Sequence, residues 1–438
     1  MDIGTITILI IGSMTGLLLL GIPLAFVSGG IAVVLTLATF GPNGLFIVAS
    51  RTAEFVGSFA LVAVPMFVLM ASIMERSGVA KDLYRAFHVW AGDIRGGVAV
   101  ITTGVAVILG ATTGIIGGEI VLLGLVALPQ MLRLGYDRKL AIGTITAGGS
   151  LGTMIPPSII LIFYGITAEV SISHLFLATL VPGLMLAGLY IAYILVRCSL
   201  NPALGPPIDA ADRDMPLAEK LALLKGVALP LLVAGSVLIS IYAGLASITE
   251  SAAVGVAGTI LAAWIRNTLT FDMIRGALTQ ALKTCGMVFW LVFGTNALIG
   301  VYNLLGGIAF AKGLLAGLSS EPAVILAVMI GTFILLGFFI DWIGILFLTM
   351  PIFLPTLQAF GYDPIWFGIV FNLSMQIAYL TPPFGPACFY LKGAAPPDVT
   401  LQEIFAAQWP FIGLQILGLL IVVMFPELSL WLPRLVYG

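Results

Sequence analysis

The sequence predicts an all-α polytopic membrane protein made of two inverted repeats, each with a re-entrant hairpin and a broken helix. Three observations predict it: an apolar composition, a repeat at one fixed spacing, and proline pairs inside apolar stretches. Of the 438 residues, 60% are hydrophobic and 9% are charged. A soluble domain carries about 25% charged residues, and in water this much apolar surface would stay exposed. Stretches of about 20 apolar residues, long enough to cross a bilayer, recur from end to end.

The bulk numbers also exclude other classes. A formal net charge of −2 leaves no basic field for nucleic acid. Cys198, Cys285 and Cys388 are scattered and form neither a metal-ligand spacing nor a disulfide framework. The first apolar stretch is preceded only by Asp2, with no basic n-region, so it reads as a retained span. Glycine is abundant, at 51 residues, which suits close packing of membrane helices.

The repeat appears when the chain is compared with itself at an offset of 226 residues. Leu128-Pro129 falls on Leu354-Pro355, and Gly135-Tyr136-Asp137 on Gly361-Tyr362-Asp363. Pro156-Pro157 falls on Pro382-Pro383, and Phe163-Tyr164 on Phe389-Tyr390. This divides the chain into unit one (1–197), a polar Pro-rich linker (198–226) and unit two (227–438). Internal repeats of this kind are typical of secondary transporters.

Within unit one, spans are expected at 5–22, 24–40 and 55–75. A helix at 78–92 reads as interfacial, with Lys81, Arg85 and His88 on one face and Leu83, Phe87 and Trp90 on the other. The segment 97–132 is interrupted at Gly110–Gly114 and Gly117-Gly118, so it reads as a hairpin that enters and returns. Residues 139–165 form a span broken near Gly148-Gly149 and Pro156-Pro157, and a last span covers 174–196. Unit two repeats this order. If the hairpins do not cross, each unit has five crossings and the second is inverted. The 18 basic residues then split 15 to 3, with only Arg51, Lys312 and Arg434 on the poorer side. The richer side is cytoplasmic by the positive-inside rule, which puts both termini in the periplasm.

The proline pairs mark the candidate site. Proline removes a backbone donor, and in lipid every freed carbonyl must find a partner. Unwound segments of this kind bind cations in transporters, whereas a single proline would more often be a packed kink. Hydroxyls, amides and glycines surround both pairs: Gly148, Gly149, Ser150, Gly152, Thr153 and Ser158, then Asn372, Ser374, Gln376, Thr381 and Gly385. Hard cations take such oxygen ligands. The hairpin tips add Thr112, Thr113, Gly114 and Glu119, and Asp341, Trp342 and Gly344. An acid inside a membrane segment is a functional candidate or a hydrogen-bonded structural group, and Glu119 and Asp341 stand open between the two. Glu250 reads as a helix N-terminal acid beside a capping Thr249, and Asp137 and Asp363 as helix caps. Enzyme readings find no zinc motif, no Walker A loop and only two histidines, His88 and His174, at predicted membrane edges.

Taken together and in order, several pieces resemble the large subunit of tripartite ATP-independent periplasmic (TRAP) transporters. They are Leu20–Pro23, Val64–Phe67, Arg95–Gly97, Gly148–Ser158 with Tyr164-Gly165, Thr249-Glu250 with Ala252-Ala253, Phe339–Gly344, and Thr381–Pro383. The resemblance implies an elevator-type ion transporter, with a transport domain from about 97–171 and 322–395 and a scaffold from the remainder. It also implies sodium coupling with no other cofactor, a small four-helix membrane partner and a periplasmic substrate-binding protein. The expected sodium ligands are Thr112, Gly114, Gly148, Ser150, Gly152 and Pro156 in unit one, with Asp341, Gly344, Thr381, Pro382 and Gly385 in unit two. Substrate, a small organic acid, is expected between the tips at Thr112, Thr113, Ser150, Asp341, Asn372 and Gln376. The first tip departs from the family's Ser-rich pattern, which favours backbone ligation there. A stand-alone sodium/anion symporter and an intramembrane enzyme are the competing readings.

The charge partition makes a topological prediction. Single cysteines placed in 198–226 of a cysteine-free chain should be labelled only from the cytoplasmic side. Periplasmic labelling would overturn the inverted layout.

Overall fold

The computed structural model describes residues 2–208, 215–319 and 321–438, and its regular elements among these residues are helices. In the first half these are α1 (Ile3–Leu19), α2 (Leu24–Phe40), α3 (Leu45–Val56), α4 (Ala63–Arg76), α5 (Val79–His88), α6 (Gly97–Thr113), α7 (Gly118–Arg133), α8 (Arg138–Ser150), α9 (Ile159–Ala168) and α10 (Ile172–Leu200). After a short α11 (Leu217–Leu223) come α12 (Lys225–Tyr242), α13 (Ile248–Ile265), α14 (Phe271–Leu304), α15 (Gly307–Leu318), α16 (Pro322–Gly337), α17 (Trp342–Ala359), α18 (Pro364–Leu380), α19 (Pro386–Ala394), α20 (Leu401–Met424) and α21 (Glu427–Tyr437).

Among the described residues, six helical segments are long and apolar enough to cross a membrane: Phe59–Arg76, α10, α13, α14, α17 and α20. Other apolar helices, α1, α2, α6 and α16 among them, are shorter. Large apolar side chains such as Ile8, Phe46, Leu232, Leu282, Trp409 and Met424 lie exposed on the chain, as a lipid-facing surface requires.

Local chemistry sets many helix starts. Asp137 accepts from Leu140 N–H at 2.9 Å, and Asp363 from Ile365 N–H at 2.7 Å. Both cap the helix that follows their Gly-Tyr-Asp turn, because a side-chain oxygen satisfies a first-turn donor. The Glu250 helix is capped differently from the sequence reading. Ser247 is the cap and forms a reciprocal capping box with Glu250. Thr249 instead donates to the Phe59 carbonyl at 3.4 Å.

The chain's halves interlock. Hairpin α6–α7 leads into broken helix α8–α9, and hairpin α16–α17 into broken helix α18–α19. The second arm of each broken helix packs on the other half's hairpin: α9 on α17 and α19 on α7. The first arms also cross over, α8 packing on α20 and α18 on α10. The buried core follows these crossings, with Phe163, Tyr164, Phe333, Phe367, Phe371 and Phe411 inside.

Three local expectations are corrected. The span at 55–75 is interrupted at Gly57 and continues through a 3-10 turn at Phe59–Val62 into α4, whereas α14 runs unbroken for 34 residues. The 78–92 helix stops at His88, and its polar and apolar faces are not those expected: His88 is buried beside Gln130, while Trp90 is 40% exposed. The linker's first part is built into the fold. Gly96 N–H donates to the Gly205 carbonyl at 2.9 Å, and Asp137 N–H to the Leu204 carbonyl at 3.0 Å. Its residues 209–214 lie outside the described structure.

A charged clamp ties the halves at one end of this core. Arg138, at the start of α8, reaches Glu403 at 2.7 Å and Asp398 at 2.9 Å. The guanidinium's hydrogen bond holds the exposed Asp398 carboxyl below the ordinary carboxylate range. A depressed carboxyl stabilises the fold above its unfolded value, about 3.9, and that contribution disappears as pH falls through the lower folded value. The exposed pair is screened by salt, so its net effect is small. Arg138→Gln should therefore flatten the acid side of the melting-temperature profile below about pH 4 and leave stability at neutral pH little changed. Fluorescence melts in detergent would check this, and an unchanged acid limb would show that the clamp is idle.

Candidate functional site

The first break follows from the residues between Ser150 and Ile159. After α8 the backbone tightens to a 3-10 turn at Leu151–Thr153, and Pro156-Pro157 keeps the chain from re-entering a helix until Ile159. The Pro156-Pro157 and Pro382-Pro383 bonds are both cis. The carbonyls released here find partners. Thr153 O accepts from Asn372 Nδ2 at 2.9 Å and from Ser158 Oγ at 2.7 Å. Met154 O accepts from Thr179 Oγ1 at 2.9 Å. Gln376 Nε2 donates to Thr153 Oγ1. Asn372 and Gln376 therefore serve the first break from the second half, although in sequence they lie near the second. Their amide oxygens, Asn372 Oδ1 and Gln376 Oε1, are buried without a hydrogen-bond partner.

The first hairpin tip meets this break directly. Ile159 N–H donates to the Gly114 carbonyl at 3.1 Å. Gly114 has φ +66°, and a Cβ there would run into the Pro157 carbonyl oxygen. A Cβ on Gly110 would lie 2.6 Å from Gly152 Cα, so the hairpin and the broken helix touch backbone to backbone. Thr112 is buried and donates to Leu109 O at 2.7 Å, and Ser150 donates to Ala147 O at 2.8 Å. Thr113 donates to Glu119 Oε2 at 3.4 Å. Gly148 is buried against α6, near Thr103 and Ala106.

The second tip and break also meet. Asp341 lies in a narrow cleft with Gly337, Trp342, Met375, Tyr379 and Phe384. Gly337 sits against Ala378. Thr381 donates to Ile377 O at 2.6 Å, and Gly385 takes a left-handed φ of +33° after Pro382-Pro383. Gly344 stands apart from these groups, one turn into α17, where a Cβ would meet Leu24 and Ile340. Besides Asn372 and Gln376, aromatic residues join the two assemblies. Phe163 of α9 lies 5.8 Å from Trp342 at the second tip. A Cβ on Gly117 at the first tip would lie 3.2 Å from the Tyr390 ring of α19. Tyr390 is absent from the sequence-derived site. The repeat pairs it with Tyr164, which is buried and donates to Pro364 O at 2.6 Å, whereas Tyr390 is 42% exposed.

Two broken helices with hairpin tips inserted beside them, lined by hydroxyls, amides and backbone oxygens, define a multi-pass membrane transporter. The chain matches the family "Tripartite ATP-independent periplasmic transporter, DctM component" over residues 11–428, and it belongs to that family. It is thus a transporter component rather than an enzyme, in the bacterial inner membrane. It is 29% identical over 467 residues to the C4-dicarboxylate TRAP transporter large permease protein DctM of Vibrio cholerae, covering 100% of this chain and 99% of that protein. It is 29% identical over 439 residues to the ectoine TRAP transporter large permease protein TeaC of Halomonas elongata, covering 98% and 100%. In fold it is similar to the crystal structure of the Alcanivorax borkumensis YdaH transporter. The TM-score is 0.65 at 14% identity, covering 93% of this chain and 96% of that one.

The amide contacts give a stability prediction. Asn372→Ala removes one of the two donors to the Thr153 carbonyl in a buried site. Because Ser158 still satisfies that carbonyl, the substitution should lower stability by about 0.5–1.5 kcal/mol, the usual net worth of one intramolecular hydrogen bond. Thermal melts of the purified protein would show this, and a melt equal to wild type would mean the contact is dispensable.

Proposed function

We propose that this chain is the substrate-translocating subunit of a sodium-driven TRAP transporter for a small organic acid. A periplasmic binding protein delivers the acid, and a small four-helix membrane subunit supports the chain. In this reading the hairpins and broken helices, about 97–171 and 322–395, move as one body against the remaining helices. The two halves are inverted repeats, and residues 198–226 are cytoplasmic.

The observation that carries the reading is the pair of orphan amide oxygens, Asn372 Oδ1 and Gln376 Oε1, buried beside the first break. An unpartnered oxygen in a buried interior costs free energy unless something binds it, and a dehydrated monovalent cation is a ligand such oxygens suit. No Lys or Arg lies at either tip or either break. An anionic substrate held there therefore needs another counter-charge. Bound sodium, together with helix N-termini, supplies it, and this couples the two. The relatives' names add C4-dicarboxylates and ectoine as substrate classes, which suits a small carboxylate-bearing compound.

The test is uptake of a C4-dicarboxylate in liposomes holding this chain, the small subunit and the binding protein. Replacing Pro156-Pro157 with Ala-Ala should let the helix re-form and consume the freed carbonyls. The sodium concentration for half-maximal uptake should rise at least about tenfold, a loss of about 1.4 kcal/mol in sodium binding. The Pro382-Pro383 replacement should act in the same direction. Wild-type sodium dependence in both variants would refute the site assignment. Uptake by this chain alone would favour a self-sufficient symporter.

A further inference from the structure

A carboxylate held between the two hairpin tips needs hydrogen-bond donors, and the side chains expected to supply them are already engaged. Thr112 donates to Leu109 O, Thr113 to Glu119 Oε2, Ser150 to Ala147 O and Thr381 to Ile377 O. The fully buried amides of Asn372 and Gln376 turn their N–H groups to Thr153. A hydroxyl has one hydrogen to give. Once that is spent it offers only lone pairs, which suit a cation and not an anion. No Lys or Arg lies at either tip or either break to make up the deficit.

Tyr390 of α19 is placed differently. It is 42% exposed, so its hydroxyl can be reached from outside the packed core. The phenol end of its ring lies over the first tip. A Cβ on Gly117 would stand 3.2 Å from Cζ, the carbon that bears the hydroxyl, and 3.3 Å from both Cε atoms. Gly117 has φ +131°, a conformation that favours glycine, so the backbone of the tip is shaped for this contact. Asp341 at the second tip and Glu119 at the first are both close enough for their charge to act on the Tyr390 hydroxyl, which sets it between the tips. Tyr164, its counterpart in the repeat, is buried and spends its hydrogen on Pro364 O. Tyr379, in the cleft beside Asp341, has a hydroxyl without a partner but is 2% exposed, out of a substrate's reach.

We propose that the Tyr390 hydroxyl donates to a carboxylate oxygen of the transported acid, and that Tyr390 thereby helps set which acids this chain accepts. This role rests on the transport reading and adds the side chain that recognises the substrate. A hydrogen bond from a hydroxyl to a carboxylate is short and roughly twice as strong as one between neutral groups. A site built on such a donor rejects analogues that cannot accept from it far more strongly than an apolar pocket rejects an extra methylene.

A phenol also suits coupling to a cation, because it gives a hydrogen without carrying charge. A lysine in its place would hold the acid by itself. With a neutral donor the charge of the acid must still be met by a bound cation, and the Asp341 carboxylate repels the acid until one is present. Packing alone would not call for the hydroxyl. A phenylalanine ring would cover Gly117 equally well, as Phe389 beside it packs edge-on against Phe405 with ring centroids 6.1 Å apart. The Tyr390→Phe variant therefore separates recognition from packing.

Thermal melts of the purified complex of this chain with its small subunit test the role, with succinate or pyruvate as the added acid. In saturating sodium chloride at least one of the two acids should stabilise wild type. Tyr390→Phe should melt with wild type when sodium is the only ligand. It should need about ten- to a hundredfold more of that acid for the same stabilisation, the usual loss for a hydrogen bond to a charged group. Equal dependence on the acid in both proteins would overturn the assignment, and so would a wild type that neither acid stabilises. Loss of sodium's own stabilisation in Tyr390→Phe would overturn it too, because the tyrosine would then act through the ion site or the fold. Binding of the acid to wild type without sodium, still weakened in Tyr390→Phe, would defeat the sodium reading and leave Tyr390 in place.

Discussion

A membrane helix that stops midway must find partners for the carbonyls it releases, and this chain finds them within the same half and across in the other. Thr153 O, at the first break, is satisfied by Asn372 of α18 and by Ser158 beyond the break. The Met154 carbonyl is satisfied by Thr179 of α10. Without these donors the unwound segment would cost several kcal/mol in a lipid-surrounded interior. With them, the break is held open and becomes a fixed oxygen-lined site. The crossed packing of α9 on α17 and α19 on α7 follows the same logic, because each broken helix needs a neighbour from outside its own half.

Small residues make this contact possible. Gly110 meets Gly152, and Gly114 meets the Pro157 carbonyl, at separations that admit no Cβ. Gly114 also needs its left-handed φ of +66°, which glycine adopts without penalty. The hairpin tip can thus lie backbone to backbone against the broken helix, and the polar groups of both face one small volume. The aromatic pairs fill what remains, with Phe163 on Trp342 and Tyr390 over Gly117. The two cradles differ in polarity. The first collects amides and hydroxyls, and the second is a more apolar cleft with Asp341 on its wall.

Much of this was legible in the sequence because it rests on local or periodic signals. Composition determined the lipid-facing class, since 9% charge cannot clothe a soluble surface. The Pro-Pro pairs located both breaks, because proline forbids the helical hydrogen bond wherever it sits. Asp137 and Asp363 announced their helices because capping acts over two or three residues. Where local signals competed, the reading slipped. Thr249 and Ser247 are both good caps, and only the capping box with Glu250 decides for Ser247.

The tertiary structure decided which residues meet across long separations. In sequence, Asn372 and Gln376 precede the second break by a few residues, yet they turn to the first break, more than 200 positions away. Periodicity gives the face of a helix but not its neighbour, so no local rule could assign them. Likewise Tyr164 and Tyr390 are equivalent in the repeat, but one is buried in the core and the other covers a hairpin tip. Glu119 read in sequence as an acid of open role. Its unpartnered oxygen against Gly152, and the approach of Glu75 to the neighbouring Gly118, come from the meeting of three separate segments. The sequence by itself determined that this chain spans a membrane and where its helices break. Packing between the halves determined what those breaks hold, because a buried polar group takes its partner from whatever the fold brings within hydrogen-bond reach.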